Sequence, residues 1–270
     1  MNSSNKTNPL TNKSVAFDRA AHFYDETRGF PPGVDAEAAQ TIIAAGKLTA
    51  ASRVLEIGVG TGRIALPLAP HVHAYHGMDL SRPMMLRLKA KQNSEPIYLA
   101  QGDATRLPYP DHSFDAVVAV HVFHLIPNWR GVIDELVRIL KPGAPVVHCW
   151  SERDEVFKAL WEAWRTAIPE QQAADIGLRW EKNEEFLTEL GWHSGKSVQL
   201  TYRYGRSPAV FISQLRNRIW SQTWRLTDEA LAQGVAAVEA VVAEQYTDRE
   251  ADVTVETKFT AKAYFPPHAN

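Results

Sequence analysis

The chain has 270 residues, 45% of them hydrophobic, enough to bury a full core as one domain or as one domain with an elaboration. Its 29 basic and 31 acidic residues leave a net charge of −2, which supplies no long-range pull toward nucleic acid or an anionic membrane. A single cysteine rules out an intramolecular disulfide framework and fits a reducing compartment, and no apolar run approaches the ~18 residues that span a bilayer.

The opening MNSSNKTNPLTNKS is polar and lacks the apolar core of a secretory signal, so residues 1–15 are expected to form a mobile tail and the protein to be cytoplasmic. Ser14–Arg28 places Phe17, Ala20, Ala21 and Tyr24 on one face of a short helix, stopped by Gly29-Phe30-Pro31-Pro32-Gly33. A second helix over Val34–Gly46 turns Ala38, Ile42 and Ala45 inward. Val54–Ala69, VLEIGVGTGRIALPLA, then reads as a strand, a glycine-rich turn and a helix to about Ala69 that Pro67 should kink. Val72–Met78 is a strand closed by Asp79, and Ser81 caps the next helix with Pro83 in its first turn.

Pro96–Gln101 is a short strand leading to Gly102-Asp103, and Phe114–His121 is the near-continuous apolar run of a strand buried on both faces. Asn128–Leu140 is an amphipathic helix ended by Lys141-Pro142-Gly143, and Ala144–Trp150 is the fifth strand, with Cys149 as a buried, inert thiol. Strand and helix alternating at these lengths make a parallel sheet with helices on both faces. Beyond Trp150, helices are expected over Asp154–Ile168, Asn183–Leu190, Ser207–Trp224 and Thr227–Tyr246, with strands at Val198–Tyr204 and Val253–Phe265. No internal repeat, low-complexity tract or linker interrupts residues 16–270, which are expected to form a single domain.

The glycine turn suits a dinucleotide or S-adenosylmethionine. A dinucleotide fingerprint wants G-x-G-x-x-G, whereas here Gly58, Gly60 and Gly62 alternate and Arg63 stands where the last glycine would fall. Glu56 sits two residues before Gly58, where a pyrophosphate would be repelled but a ligand with an ammonium and a sulfonium would not. Asp79 is placed to accept from both ribose hydroxyls and Asp103 from an adenine amino group. Three carboxylates and no phosphate-binding lysine favour S-adenosylmethionine.

From Phe17 to Trp150 the chain resembles class I S-adenosylmethionine-dependent methyltransferases, in the broad group that includes ubiquinone/menaquinone-type and other small-molecule enzymes. The resemblance is carried, in order and spacing, by VLEIGVGTGRIALPLA, GMDLSRPMM, QGDATRLPYPDHSFDAVVAVHVFHLI and ELVRILKPGAPVVHCW. It implies an α/β, Rossmann-like seven-stranded sheet, mostly parallel with the last strand antiparallel. A helical cap would come from residues 151–195 and 206–247. By the same resemblance Glu56, Gly58, Gly60 and Gly62 line the methionine moiety and Asp79 binds the ribose. Leu80 and Met84 pack near the adenine, Asp103 and Ala104 meet its edge, His121 lies near the reactive end, and Tyr24 and Arg28 fold over the cofactor.

The implied activity is methyl transfer to a small-molecule acceptor. Its rivals are a cofactor-binding protein without catalysis and a nicotinamide-dependent oxidoreductase, which Arg63 and Glu56 disfavour. His121 and His124, after the fourth strand, are candidate proton acceptors, set against histidines that merely position the loop. Phe157, Trp161, Trp164, Trp220 and Trp224 line an acceptor pocket or belong to the core, and helical spacing favours the core. The N/D-P-P-Y/F motif of amino-methylating nucleic-acid enzymes is replaced by Val120-His121-Val122-Phe123, so no nucleic-acid partner is expected. No Cys/His/Asp/Glu grouping has metal-ligand spacing, and His71, His73 and His76 read as an exposed strand face.

Overall fold

The computed structural model describes residues 14–152, 154–169, 177–178, 182 and 184–267; residues 1–13 of the expected tail lie outside them. Five strands follow one another as anticipated: β1 (Arg53–Ile57), β2 (Ala74–Asp79), β3 (Ile97–Gln101), β4 (Ala116–Val120) and β5 (Val146–Ser151). They run parallel, with β1 between β2 and β4: Val54 lies opposite both Tyr75 and Ala116, and Ile57 opposite both Met78 and Ala119. Two long strands complete the sheet, β6 (His193–Arg206) and β7 (Val253–Phe265), in the order β3-β2-β1-β4-β5-β7-β6. Gln199 bonds Thr260 while Arg203 bonds Glu256, a register in which β6 and β7 run antiparallel.

Nine helices belong to the described residues: α1 (Tyr24–Arg28), α2 (Val34–Gly46), α3 (Ala65–Leu68), α4 (Arg82–Lys91), α5 (Trp129–Ile139), α6 (Lys158–Ala167), α7 (Glu184–Glu189), α8 (Pro208–Arg216) and α9 (Asp228–Gln245). Side-chain caps set several starts, as the sequence requires. The Ser81 hydroxyl accepts from Met84 N–H at 3.3 Å, and Asn128, Ser207 and Thr227 do the same for α5, α8 and α9.

The chain divides into two compact units. The first comprises Met1–Trp150, Ile176–Leu200 and Thr260–Asn270, and its core joins Leu55, Ile57, Val117 and Ala119 of the sheet to Val132, Leu136 and Ile139 of α5. The second comprises Ser151–Asp175 and Thr201–Phe259, where α6 packs on α8 and α9 through Phe157, Trp161, Trp164, Phe211 and Val238. Here Phe157, Trp161 and Trp164 are core, Trp220 packs against them, and Trp224 donates its indole N–H to the Arg218 carbonyl at 2.7 Å.

Four local expectations are corrected. The helix expected over Ser14–Arg28 is a 3-10 turn at Asp18–Ala20 followed by α1; no side chain caps either start, and so short a helix cannot hold itself together. The helix after the glycine turn lasts only four residues before a 3-10 turn at Ala69–His71, because Pro67 and Pro70 each remove an N–H from the ladder. In consequence β2 starts at Ala74, His71 and His73 precede it, and His76 is half-buried and stacked on Tyr98 at 5.1 Å. The helix expected over Ser207–Trp224 ends at Arg216 and is followed by Arg218 in the left-handed region (φ 51°), while the sixth strand begins at His193 and not at Val198.

Candidate functional site

The strand order reverses between β1 and β4, and in open α/β sheets ligands sit outside the carboxyl ends of the strands at such a point. A cleft partly open to solvent lies there in the first unit. Gly58 and Gly60 line it after β1, Met78, Asp79 and Leu80 at the end of β2, and Gly102, Asp103 and Ala104 after β3. Val120, His121, Val122, Leu125 and Ile126 line it after β4, and Met84 from α4. Ser14, Val15, Phe17 and Tyr24 close another side, with Val15 N–H bonded to the Leu125 carbonyl at 3.2 Å.

The glycine turn is held from both sides. The N–H groups of Gly58 and Val59 share the Met78 carbonyl at 2.7 and 3.0 Å, and Gly60 N–H donates to Asp79 Oδ2 at 2.9 Å. Gly58, Gly60 and Gly62 all adopt positive φ (73°, 55° and 83°), a region costly for side-chain-bearing residues. A Cβ on Gly62 would lie 2.5 Å from Leu88 Cγ, whereas one on Gly60 would come no closer than 3.4 Å to any neighbour, Met84 Cε. Gly60 thus leaves room toward the cleft, and Gly62 lets the turn pack on α4.

Asp79 Oδ1 accepts from Ser81 N–H at 2.8 Å, so each oxygen holds one backbone donor and keeps a further lone pair. Burial raises its pKa, partly offset by those two bonds. Asp103 Oδ1 accepts from the amide and hydroxyl of Thr105, both at 2.9 Å, and Oδ2 has no hydrogen bond among the described residues. His121 takes the left-handed conformation (φ 51°), with its N–H donating to the Cys149 carbonyl at 3.1 Å. Burial, reinforced by the positive field of Arg63, keeps its imidazole well below the usual range and therefore neutral.

Of the twelve residues singled out in the sequence, Tyr24, Gly58, Gly60, Asp79, Leu80, Met84, Asp103, Ala104 and His121 line the cleft; Arg28, Glu56 and Gly62 do not. Glu56 is buried in β1, where its carboxyl Oε2 accepts from the Tyr75 hydroxyl at 2.8 Å. Arg28 lends its carbonyl to the Arg63 guanidinium at 2.5 Å, and that guanidinium lies over the Phe30 ring. The sequence had not singled out Asp25, which joins α1 to the glycine turn through Thr61 (2.5 Å) and to α4 through Lys91 (2.8 Å). Nor had it singled out Tyr75, Leu125 and Ile126. The last two close the motif that runs through β4 as apolar residues outside any strand, which is the signal that could have found them.

The cleft's chemistry tests what it can hold. Among the described lining residues there are two carboxylates and no lysine or arginine, which is wrong for a pyrophosphate and right for a ligand that donates from ribose hydroxyls and an amino group. The side-chain-free surface at Gly60 leaves space for close backbone approach.

Sheet order, glycine turn and paired carboxylates define a Rossmann-like methyltransferase fold. Residues 55–148, about a third of the chain, match the family model described as a methyltransferase domain, and this segment is similar to the domains of that family. It is 41% identical over 99 residues to the phosphatidylethanolamine N-methyltransferase of Cereibacter sphaeroides, covering 35% of this chain and 48% of that protein. It is 32% identical over 154 residues to the phthiotriol/phenolphthiotriol dimycocerosates methyltransferase of Mycobacterium tuberculosis, covering 56% and 55% respectively. The chain therefore spans about half the length of the curated relatives it matches. The crystal structure of the YcgJ protein of Bacillus subtilis superposes with a TM-score of 0.56 at 18% identity, over 86% of this chain and 99% of that one, a likeness of fold.

Proposed function

We propose that this protein transfers a methyl group from S-adenosylmethionine to a small-molecule acceptor, with lipids among the candidates. The observation that carries the reading is the gathering of Gly60, Asp79, Asp103 and His121 around one cleft without a cation among its described lining residues. Two relatives named for lipid substrates support the choice of acceptor class. The net charge of −2 argues against nucleic acid, and no helix among the described residues is long and apolar enough to cross a membrane. The buried Cys149 thiol suits a reducing compartment, and the cytoplasm is the proposed location.

In this reading Asp79 accepts from the ribose hydroxyls and Asp103 Oδ2 from the adenine amino group, with Leu80, Met84 and Ala104 against the base. Gly58 and Gly60 give the methionine end close backbone approach, Glu56 sits behind them, and Tyr24 covers the site from α1. S-adenosylmethionine supplies a methyl on a sulfonium, activated enough for direct displacement by the acceptor. What the chain must add is alignment and exclusion of water, and the apolar side chains of Val15, Phe17, Val122 and Leu125 serve the second task. The neutral imidazole of His121 accepts a hydrogen bond from the acceptor's hydroxyl or amine; its depressed basicity makes it a strong proton acceptor only for a group that acidifies as it is methylated.

The test is titration calorimetry with S-adenosylmethionine, S-adenosylhomocysteine and NAD, followed by turnover on an acceptor panel with S-adenosylhomocysteine as readout. Binding of the first two without NAD is expected. Asp79→Ala should weaken it by about 1–3 kcal/mol through lost charge-assisted hydrogen bonds. Tight NAD binding with none for S-adenosylmethionine sinks the proposal, and cofactor binding without turnover on any acceptor favours a non-catalytic role.

A further inference from the structure

Between β3 and β4 the chain runs through residues 102–115 without a helix or strand, and the first three of them line the cleft. Leu107-Pro108-Tyr109-Pro110 leaves this loop short of donors of its own, because neither proline has an N–H. Two side chains of α5 supply what is missing. The Arg138 guanidinium donates to the Leu107 carbonyl at 3.0 Å, the Tyr109 carbonyl at 2.7 Å and Asp111 Oδ1 at 2.9 Å. Its other bonds fork onto Glu135, 2.9 Å to Oε1 and 2.8 Å to Oε2. Glu135 Oε2 in turn accepts from Leu107 N–H at 2.5 Å, so α5 grips Leu107 by both its N–H and its carbonyl.

That grip fixes the far end of a short turn. Arg106 N–H returns to the Asp103 carbonyl at 3.0 Å, and the near end is tied by Gly102 N–H to the Asp79 carbonyl at 3.1 Å. Leu107 is buried, as is Ala104 at the cleft wall. Thr105 occupies Asp103 Oδ1, so the turn presents Oδ2 with no hydrogen bond among the described residues. Neither Glu135 nor Arg138 lines the cleft. Their ion pair is partly buried, and a rigid planar fork that reaches a carboxylate and two carbonyls at once is a geometry lysine cannot copy.

We infer that Glu135 and Arg138 are positioning residues for base recognition: by clamping Leu107 to α5 they hold Asp103 Oδ2 where the cofactor's adenine amino group donates to it. The inference rests on the cofactor reading above. A carboxylate accepts and does not donate, so it favours the exocyclic amino group of adenine and opposes the exocyclic oxygen of hypoxanthine. That discrimination needs a hydrogen bond whose strength falls steeply with distance and angle. A loop released from α5 keeps the carboxylate and loses its aim.

The test is calorimetric titration of the full chain with S-adenosylhomocysteine and with S-inosylhomocysteine, which carries hypoxanthine in place of adenine. The wild-type protein should prefer the adenine ligand by about ten- to a hundredfold, the worth of one charge-assisted hydrogen bond. In Arg138→Lys, which keeps the charge and loses the fork, the preference should shrink to about threefold or less. It should shrink because S-adenosylhomocysteine binds more weakly while S-inosylhomocysteine keeps its affinity. A pair that only stabilises the fold would weaken both ligands together, or neither, with the preference intact; that result overturns the inference and leaves the cofactor reading standing. Glu135→Gln has one oxygen left to serve both Leu107 and the guanidinium, so it should lower the preference in the same way, and it decides the matter if Arg138→Lys does not fold. Equal binding of both ligands by the wild-type protein refutes the adenine role of Asp103, and no binding of either refutes the cofactor reading itself; each takes this inference with it.

Discussion

Two glycines of the same turn should fail in opposite ways when each is given a methyl group. Gly60→Ala places a Cβ whose nearest neighbour is Met84 Cε at 3.4 Å, an ordinary contact, at φ 55°, inside the left-handed region. The folding cost is therefore only that of an L-residue in that conformation, about 1–2 kcal/mol. The new methyl, however, occupies the cleft wall, and S-adenosylhomocysteine affinity should fall at least about tenfold, or roughly 1.4 kcal/mol. Gly62→Ala has the same backbone penalty at φ 83° and adds a Cβ 2.5 Å from Leu88 Cγ and 2.9 Å from Leu88 Cδ1. Leu88 is fully buried, so it cannot swing away, and overpacking of this kind adds about 1–3 kcal/mol. The total of roughly 2–5 kcal/mol should move the urea midpoint strongly, while affinity per folded molecule changes less than in Gly60→Ala, because Gly62 does not line the cleft. Urea unfolding followed by circular dichroism, paired with calorimetry on the folded fraction, reads both quantities. If Gly62→Ala unfolds at the same urea concentration as Gly60→Ala, the assignment of Gly62 to packing is wrong.

Three further outcomes follow from the same geometry. Because the folded pKa of Glu56 is raised to about 8, its contribution to stability is complete below the unfolded value of 4.5 and is lost as pH climbs through 8; Glu56→Gln should flatten the decline that the wild-type protein shows between pH 5 and 9 in thermal melts, and an unchanged slope would contradict a neutral carboxyl. Gly234→Ala drives a methyl to within 2.5–2.6 Å of the buried Trp164 ring and should destabilise the second unit by about 1–3 kcal/mol, visible as an earlier transition in tryptophan fluorescence; a wild-type midpoint refutes the close packing of α9 on α6. Asp25→Asn loses the Lys91 ion pair, which is half-exposed and worth under about 1 kcal/mol, so the melt should barely shift. Because Asp25 also ties α1 to Thr61 of the glycine turn, stopped-flow release of S-adenosylhomocysteine should nevertheless quicken, and an unaltered off-rate would show that α1 does not hold the ligand in.

The parallel half of the fold was legible because its signals are local. Each strand from β1 to β5 is a short β-favouring run, the first three closed by Gly58, Asp79 and Gly102, and caps such as Ser81 and Asn128 mark helix starts within a residue. The misreadings arose where a backbone property outranked the apolar pattern. Pro70 was enough, with Pro67, to reduce the first crossover helix to four residues, and the left-handed Arg218 ended a helix whose hydrophobic spacing continued past it. The strap before Gly29 took its course from tertiary bonds by Asp25 and Val15, which no periodicity encodes. Likewise β6 begins five residues early because pairing with β7, and not its own alternation, sets its length.

The cleft divides along the same line. Residues that meet it through a turn at a strand's end, such as Gly60, Asp79 and Asp103, announce themselves by type and spacing. Glu56 announces itself too, but its state depends on Tyr75, which lies in another strand and nineteen positions away. The register Leu55–His76 and Val54–Tyr75 brings the phenol beside that carboxyl, and only the paired strands reveal it. The same acid that the sequence reads as a ready anion is, once its environment is known, a buried carboxyl whose pKa desolvation raises to about 8.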